Sequence, residues 1–525
     1  MAATRRAKFN TARHSLGILR AVIVTCRYRI SATYIRQLSF SLQDAVENAL
    51  ASVVLRQALL GVGIAAEYSK EPVFVHLKTI DMRRMVEWKE IITPSATSST
   101  HIDAKKEEAL YEDRLLRSLE KCHEPVWEEL AGKPGWKIVV HHDPRQLGLK
   151  DDTDDALLSF DISFCFHHAY SDGRGGYIFH GDLLRALNEG TRPTELQKHI
   201  LYLPRPPTLP PAMSDLIPLS LSWAYILRTV WTEIAGAIPM PLFLRRLLGF
   251  EPNETEIPWT GAPIDALNPK THVRTLFKLE DEAQLKRILA QCRSHKTTLT
   301  GLLHALIARS LARHVKDRSF RSSTPISLAG YADPKVAGST FTPGETIHCL
   351  VTGFQCSHGL DTAQRLRRSG DENGTRVGED QAVWALAQDM TARLRAKAVS
   401  LPRDDIIGLS SLIGDWHEFF RKKFGKARAD TWELSNLGSL AATDAGVSES
   451  ENAVSSQDVE KAGWWFIDRA VFTQGNSTGP ALNINVAGVS EHGIYVTVCW
   501  QDGIVDVELV EKLVEDVQAW VAGLV

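Results

Sequence analysis

Apolar and polar residues alternate with great regularity in one stretch of the first half of the chain. The apolar residues occupy every second position, namely Leu158, Phe160, Ile162, Phe164 and Phe166. A period of two is that of a β-strand with one apolar face. The pattern therefore predicts a strand over residues 158–168, which ends in the pair His167-His168.

Further patterns on either side of a proline-rich segment predict two αβ halves. Apolar residues at helical spacing predict helices over residues 41–60 and 299–315, and alternation predicts a strand over residues 273–279. Five prolines within residues 201–213 exclude a regular element there and indicate a linker. The expected fold class is α/β (α+β), with two similar mixed-sheet domains. The expected boundaries are residues 1–200 for the first half, 201–265 for the linker and 266–525 for the second half.

Three polar or glycine-rich stretches are expected to lack regular structure. Residues 357–380 and 441–461 are polar, and each is expected to be a surface loop. Residues 173–176 contain three glycines and are expected to form a turn, followed by a helix from Gly181 to Asn188.

Composition excludes several classes of function. The formal net charge is -3, so no global field attracts a polyanion, and nucleic acid is not an expected partner. The seven cysteines are scattered and include no CxxC pair, which argues against a disulfide framework or a zinc site and favours a reducing compartment. At 525 residues, the chain has room for two domains or for one large pseudo-symmetric unit.

The beginning of the chain is rich in arginine and has no acidic residue before Asp44. Such a segment is either a mitochondrial transit peptide or a short tail that leads into the first folded element. No transmembrane helix is expected, because every apolar run is interrupted; the longest covers residues 216–247. That run suits buried core, a hydrophobic acceptor or peripheral contact with a membrane. Its large apolar residues include Trp223, Trp231, Leu242, Phe243 and Leu247. The expected location is the cytoplasm.

The two histidines at the end of the predicted strand are not equivalent. Strict alternation places His168 on the face of Phe164 and Phe166, whereas His167 falls on the opposite face with Cys165. Apolar surroundings favour the neutral imidazole, which is the form that a general base needs. Strand counting therefore selects His168 as the candidate base, and it argues against a Cys–His dyad with Cys165.

The residues that follow His168 add a second chemical group. Asp172 lies four residues further on, where its carboxylate could hold the loop through an ion pair or backbone hydrogen bonds. Gly173 would permit a backbone conformation that a side chain forbids. A lone histidine at a strand end is usually structural, but the histidine pair followed by Asp-Gly favours a functional site. A metal site that includes Asp172 and His180 has no recognised ligand pattern, so no metal is expected.

The run His167-His168-Ala169-Tyr170-Ser171-Asp172-Gly173 resembles the HHxxxDG signature of the chloramphenicol-acetyltransferase-like superfamily. Within that superfamily the chain is most similar to the fungal alcohol acetyltransferases, and it lacks the DFGWG signature of the plant enzymes. The segments that carry the similarity are residues 49–60, residues 298–305, the SNxG segment Ser435-Asn436-Leu437-Gly438 and residues 495–506.

The resemblance implies two similar domains with a tunnel between them and the catalytic histidine at its middle. His168 would deprotonate the hydroxyl of the acceptor, and the oxygen would attack the acyl-CoA thioester directly, without an acyl-enzyme. Asp172 would be structural, turned away and paired with an arginine. Acyl-CoA, as acetyl-CoA, would be a co-substrate rather than a bound cofactor. The residues that contact CoA are not assigned.

One position departs from the family pattern. Relatives often carry the arginine partner in a strand that resembles residues 325–328, and the matching position here is Ala329. The partner of Asp172 would then be another arginine, or absent. Ser435 and Asn436 are candidate donors to the oxyanion, because they lie in the SNxG segment. The alternative is that residues 436–438 form a simple turn.

Together these expectations describe a monomeric O-acyltransferase that moves an acyl group, with acetyl as the expected one, from CoA to a hydroxyl of a small hydrophobic metabolite. Two other functions remain open, namely an amide-forming enzyme of the condensation type and a non-catalytic member of the fold. A carrier domain would support the condensation alternative, but its serine attachment motif is not evident in the chain.

Overall fold

The computed structural model describes residues 5–37, 41–93, 104–147, 157–227, 229, 257–371, 381–443, 464–475 and 479–524. Within these residues the strands are β1 (Val22–Ser31), β2 (Val62–Ala65), β3 (Val73–His76), β4 (Thr79–Asp81), β5 (Val86–Glu90), β6 (Trp136–His142), β7 (Leu157–Phe166), β8 (Leu196–Gln197), β9 (Ile200–Tyr202), β10 (Thr271–Leu279), β11 (Phe320–Ser327), β12 (Val351–His358), β13 (Trp432–Leu440), β14 (Phe466–Gln474), β15 (Leu482–Val489) and β16 (Gly493–Gln501).

The helices of the same residues are α1 (Arg5–Ser15), α2 (Ala32–Gln37), α3 (Leu42–Arg56), α4 (Met82–Met85), α5 (Ala104–Cys122), α6 (Pro144–Leu147), α7 (Gly173–Glu189), α8 (Met213–Leu216), α9 (Glu282–Ser294), α10 (Leu299–His314), α11 (Pro334–Ala337), α12 (Leu360–Asp371), α13 (Gln381–Ser400), α14 (Trp416–Arg421) and α15 (Val507–Ala522). Short 3₁₀ helices cover Ala58–Gly61, Ala329–Tyr331 and Ile406–Leu412.

Two mixed sheets form the framework of the molecule. The first has the strand order β14-β1-β7-β6-β5, and the second has the order β10-β16-β15-β13-β11-β12. Each sheet combines antiparallel with parallel neighbours, because β5 runs parallel to β6 in the first, and β13 runs parallel to both β11 and β15 in the second. The expected α/β class with mixed sheets is confirmed.

The strand β14 connects the two halves of the chain. It belongs to the C-terminal half by sequence, yet it pairs antiparallel with β1 at the edge of the first sheet, with Val22 opposite Gln474. It also packs against β15 and β16 of the second sheet. The two halves of the sequence therefore do not correspond fully to the two sheets, because β14 comes from the second half and belongs to the first sheet.

The predicted strand over residues 158–168 is confirmed up to Phe166, where β7 ends. Its apolar face packs against α7, with the rings of Phe164 and Phe179 stacked at 3.9 Å between centroids. Its other face is buried as well, because the helix α5 covers it and places Leu115 and Leu119 in one cluster with Cys165. Both faces of this strand therefore belong to the interior.

Two expected loops are partly regular structure. Residues 173–176 are the first turn of α7 rather than a separate turn, because Asp172 caps the helix at that point. Residues 357–380 include the end of β12 and the helix α12. Over residues 360–369 of that charged helix, Ala363 and Leu366 are the fully buried residues, so its apolar stripe is too short to stand out in the sequence. Residues 372–380 and 444–463 lie outside the described residues.

The long apolar run divides into buried and exposed parts. Leu216 and Ile217 are fully buried, whereas Trp223 is 79% exposed and Leu227 is 65% exposed. Residues 230–256, which include Trp231, Leu242, Phe243 and Leu247, lie outside the described residues. No helix in the described ranges combines the length and the apolar character that a membrane crossing requires.

Candidate active site

The strand β7 delivers the histidine pair to a tight turn. The amide of His167 still donates to the carbonyl of Gly135 in a bond of 2.8 Å, as a sheet residue would. The chain then reverses, since the amide of Tyr170 donates to the carbonyl of His167 at 3.1 Å. His168 therefore lies in the turn between β7 and α7, just beyond the pairing of the sheet.

The hydrogen bonds of His168 determine which ring nitrogen carries the proton. Its Nδ1 lies 2.8 Å from the carbonyl oxygen of Ser171, which can only accept, so Nδ1 carries a hydrogen and donates. In a neutral imidazole the lone pair is then on Nε2. Burial and the positive charges of Arg6 and Arg13 lower the pKa of His168 to about 3, so the ring is neutral at physiological pH. A neutral ring with a lone pair on Nε2 can accept a proton from a bound hydroxyl.

Asp172 is bound by two backbone amides. One carboxylate oxygen accepts from the amide of Gly175 at 3.0 Å and caps α7, and the other accepts from the amide of Leu350, also at 3.0 Å. Burial raises the pKa of Asp172, and the two amide bonds offset part of that effect. No arginine among the described residues forms an ion pair with this carboxylate, although the charge of Arg6 acts on it from a greater distance.

Ala329, the position that departs from the family pattern, lies close to the backbone amide that binds Asp172 in place of an arginine. The amide of Leu328 donates to the carbonyl of Leu350 at 2.8 Å, and the amide of Leu350 in turn donates to Asp172. Ala329, which follows Leu328, begins a short 3₁₀ helix. The backbone of this segment thus supplies a hydrogen bond to Asp172 where an arginine side chain was expected.

The glycines after Asp172 are required by close packing. A Cβ atom on Gly173 would collide with the side chain of Leu437, and one on Gly176 would lie 2.5 Å from Val24. Gly173 is part of the helix α7, so the expectation that it needs a special backbone conformation is wrong. The absence of a side chain lets α7 approach both β1 and β13.

The N-terminal helix α1 supplies groups to the site that the sequence analysis did not identify. The side-chain amide of Asn10 donates to the backbone carbonyl of His168 at 2.9 Å. Arg6 and Arg13 lie one turn before and almost one turn after Asn10, and both guanidinium groups act on His168. The spacing i, i+4, i+7 of these three polar residues is the signal that could have indicated a functional stripe. The alternation of β7 predicts apolar surroundings for His168, whereas the structure places two cations there.

Three buried side chains from distant segments meet behind the turn that carries His168. Nδ1 of His14 contacts Glu67, and Nε2 of His167 lies 3.8 Å from the same carboxylate oxygen. Burial would raise the pKa of Glu67, but the hydrogen bonds and charges of the two histidines lower it to about 2. The cluster ties α1 and the histidine motif to the loop after β2.

The same three side chains have the composition of a metal site, but their hydrogen bonds do not fit one. Nε2 of His14 accepts from the amide of Trp127 at 3.0 Å, and Nδ1 of His167 accepts from the amide of Ala169 at 2.9 Å. In a neutral ring the opposite nitrogen then carries the proton, so both nitrogens that face Glu67 are donors. A metal would require a lone pair on each of them.

Two cysteines bear on the question of a covalent mechanism. Cys165 lies beside Cys122 on the far side of the sheet, which agrees with strand counting. Cys349 lies nearer, with its Sγ 3.6 Å from Nδ1 of His168. Burial raises the pKa of the Cys349 thiol, and the nearby Nδ1 already carries a proton. His168 is therefore poorly arranged to activate this thiol.

The candidate oxyanion donors lie on β13. Ser435 is buried, whereas the side chain of Asn436 is exposed, donates to Thr300 at 3.1 Å and accepts from the amide of Gly438 at 2.9 Å. Among the described residues, neither forms a hydrogen bond with His168. The guanidinium of Arg174 donates to the carbonyl of Leu437 at 2.6 Å, which holds the SNxG segment against the start of α7.

Comparison with known proteins identifies the family. The family model of the alcohol acetyltransferases matches residues 10–328. The chain is 27% identical over 523 residues to the probable alcohol acetyltransferase FCK4 of Fusarium pseudograminearum, with 98% of this chain and 93% of that protein covered. It is 21% identical over 504 residues to the probable alcohol acetyltransferase crmB of Aspergillus fumigatus, with 94% and 93% covered.

A solved structure shows the same fold. The trichothecene 15-O-acetyltransferase TRI3 of Fusarium sporotrichioides matches with a TM-score of 0.62 and 14% identity, over 99% of this chain and 94% of that protein. At this identity the likeness supports the architecture and says nothing of the substrate. The family match covers more than half of the chain and includes the histidine motif. The chain therefore belongs to the alcohol acetyltransferase family and is an acyltransferase.

Proposed function

We propose that the protein is an acyl-CoA-dependent O-acetyltransferase that acts on a hydroxyl of a small hydrophobic metabolite, with His168 as its general base. The observation that carries the proposal is the hydrogen bond from Nδ1 of His168 to the carbonyl of Ser171. It orients the ring and leaves the lone pair of Nε2 for the acceptor. The names of the related proteins, which are acetyltransferases, support acetyl as the acyl group.

The reaction then proceeds by direct attack. Nε2 of His168 takes the proton of the acceptor hydroxyl as its oxygen attacks the thioester carbonyl. The tetrahedral intermediate collapses, the carbon–sulfur bond breaks, and the imidazolium returns its proton to the departing CoA sulfur. Ser435 and Asn436 remain proposed donors to the oxyanion, and no acyl-enzyme is formed.

Asp172 has a structural role in this proposal. Its two amide bonds hold the start of α7 and residue Leu350 together across the turn that carries His168. The carboxylate is therefore a positioning group that does not exchange protons with the substrate.

The proposal is tested with purified protein, acetyl-CoA and a panel of alcohols and amines of increasing size, by following the release of CoA thiol. We expect ester formation with at least one alcohol and a loss of about 10²–10⁴-fold in kcat for His168→Gln, the range that general bases contribute. His199→Gln is the matched control, since this histidine pairs with Glu47 outside the motif. Thiol release no faster than in His168→Gln, with every acceptor, contradicts the proposal. Products that are amides alone favour the condensation alternative.

A further inference from the structure

Two arginines on α1 face His168 without a carboxylate partner. Arg6 and Arg13 lie on the same helical stripe as Asn10, and their guanidinium groups lie 4.8 and 5.2 Å from the ring centre of Phe9. Neither forms an ion pair within 4.0 Å among the described residues. Glu433 is the acidic residue whose charge acts on Arg13, and it does so from beyond ion-pair distance. The site therefore holds two positive charges that are only partly compensated.

Polar atoms on the same stripe lack hydrogen-bond partners. Nε of Arg6 and Oδ1 of Asn10 are buried, and neither has a partner among the described residues. Asn10 is 1% exposed, so water does not readily replace a missing partner. A buried donor and a buried acceptor left unpaired cost free energy, which a bound ligand with oxygen atoms would recover.

A small cavity with a mainly apolar lining adjoins Arg6. Its volume is about 160 Å³, and its lining combines the apolar side chains of Met213, Leu219, Leu221 and Ile407 with Ser214 and Ser410. Arg6 lines the cavity, and its charge also acts on the thiol of Cys349, whose Sγ lies 3.6 Å from Nδ1 of His168. Arg6 therefore borders the cavity and also lies within electrostatic reach of the candidate base.

We propose that Arg6 and Arg13 bind a carboxylate of the acceptor, while its apolar body occupies the cavity beside Arg6. The inference rests on the proposed function, because it assigns the acceptor of that reaction to the class of hydroxy acids with a small apolar body. The charge of the site favours this ligand. Two permanently charged guanidinium groups are better neutralised by a carboxylate, which is always charged, than by the oxyanion, which exists only during the reaction.

The phosphates of acyl-CoA do not meet this requirement. They lie at the far end of the pantetheine arm from the thioester, so they cannot reach α1 while the thioester carbonyl is at His168. A carboxylate on the acceptor also has a chemical consequence. It offsets the positive charges that lower the pKa of His168, and it makes the base stronger when the correct acceptor is bound.

The test is a calorimetric titration of the protein, without acetyl-CoA, with hexanoate and with its neutral counterpart hexanamide at constant ionic strength. We expect hexanoate to bind more tightly than hexanamide, and Arg6→Gln and Arg13→Gln each to weaken hexanoate by about tenfold. Arg13→Lys, which keeps the charge, should retain most of the affinity. Lys8→Gln is the matched control, because Lys8 lies on the same helix but pairs with Glu71 at the surface.

Equal binding of hexanoate and hexanamide to the wild-type protein would overturn the subsite. Equal binding of hexanoate to the wild-type protein and to a folded Arg6→Gln, Arg13→Gln double variant would also overturn it. The titration involves no acyl transfer, so its outcome is separate from that of the proposed function. Arginine-dependent binding of hexanoate by a protein that transfers no acetyl group would refute the reaction and support the subsite.

Discussion

The pKa of His168 sets the pH range of the proposed reaction. A general base works in its unprotonated form, and the pKa of His168 is lowered to about 3 by burial and by Arg6 and Arg13. We therefore expect kcat/KM, which reports the free enzyme, to stay level from about pH 8 down to about pH 5, and we expect the acid limb that belongs to His168 to lie near pH 3. The measurement is a pH series of initial rates, over the range in which circular dichroism shows a folded protein. An acid limb near pH 6.5, the value of an ordinary histidine, would show that burial and the two arginines do not lower the pKa of the ring.

The two amide bonds of Asp172 should contribute to the stability of the folded protein. Asn at this position keeps one acceptor oxygen, so either Gly175 or Leu350 loses its partner and faces an NH₂ group instead. We expect Asp172→Asn to lower the free energy of unfolding by about 1–3 kcal/mol. Asp281→Asn is the control, because this exposed cap of α9 accepts from Ala283 alone and Asn is an equally good cap. Urea denaturation compares the two, and equal losses would contradict the role given to Asp172.

Among the helices, α7 shows how packing decides the effect of a glycine. A Cβ on Gly176 would lie 2.5 Å from Val24 on β1, whereas a Cβ on Gly181 would meet nothing within 4 Å. We expect Gly176→Ala to destabilise the protein by about 1–3 kcal/mol through overpacking. Gly181→Ala should stabilise it by up to about 1 kcal/mol through helix propensity. Thermal unfolding of both variants measures the difference, and shifts of the same sign would contradict the packing of α7 against β1.

The contacts of the helix α1 with the site were not evident from any local sequence pattern. Its arginines fit a transit peptide or a tail in the sequence, but in the structure His14 contacts Glu67 and Asn10 bonds to His168. Its Phe9 packs against α14, where the ring meets Trp416 edge-on at 4.9 Å between centroids. The helix therefore joins the turn that carries His168 to the C-terminal half of the chain.

For the molecule as a whole, a buried ionic cluster holds β14 in the first sheet. Arg469 on β14 donates to Glu112 at 2.6 Å and to Asp161 on β7 at 3.0 Å. Burial alone would raise the pKa of Asp161, but the charges of Arg27 and Arg469 outweigh it and hold the pKa below its usual range. The carboxylate stays charged, and it depends on its partners.

The removal of one partner from this cluster should weaken the whole fold. We expect Arg469→Met to lower the free energy of unfolding by about 3–5 kcal/mol, because acidic groups are left buried without full compensation. Arg117→Met, which breaks an exposed pair with Asp113, should cost about 1 kcal/mol or less. Chemical denaturation measures both. A loss for Arg469→Met as small as that of the control would show that β14 is held by its backbone pairing alone.

Features that depend on neighbours along the chain are predictable from the order of its residues alone. Alternation over residues 158–166 predicts β7, because successive side chains of a strand point to opposite faces. The HHxxxDG run carries the family resemblance, because its residues are close in the sequence. Helical spacing likewise predicts α3 and α10 to within a few residues of their observed ends.

The identity of the distant groups that meet at the site follows from the folded arrangement and not from any local pattern. Asp172 uses the amide of Leu350, His168 receives Asn10 and the charges of two arginines, and β14 crosses to the first sheet. These contacts join residues that are far apart in sequence, and they result from how whole elements pack. Local hydrophobic periodicity records which face of an element is buried, but it does not record which other element covers that face.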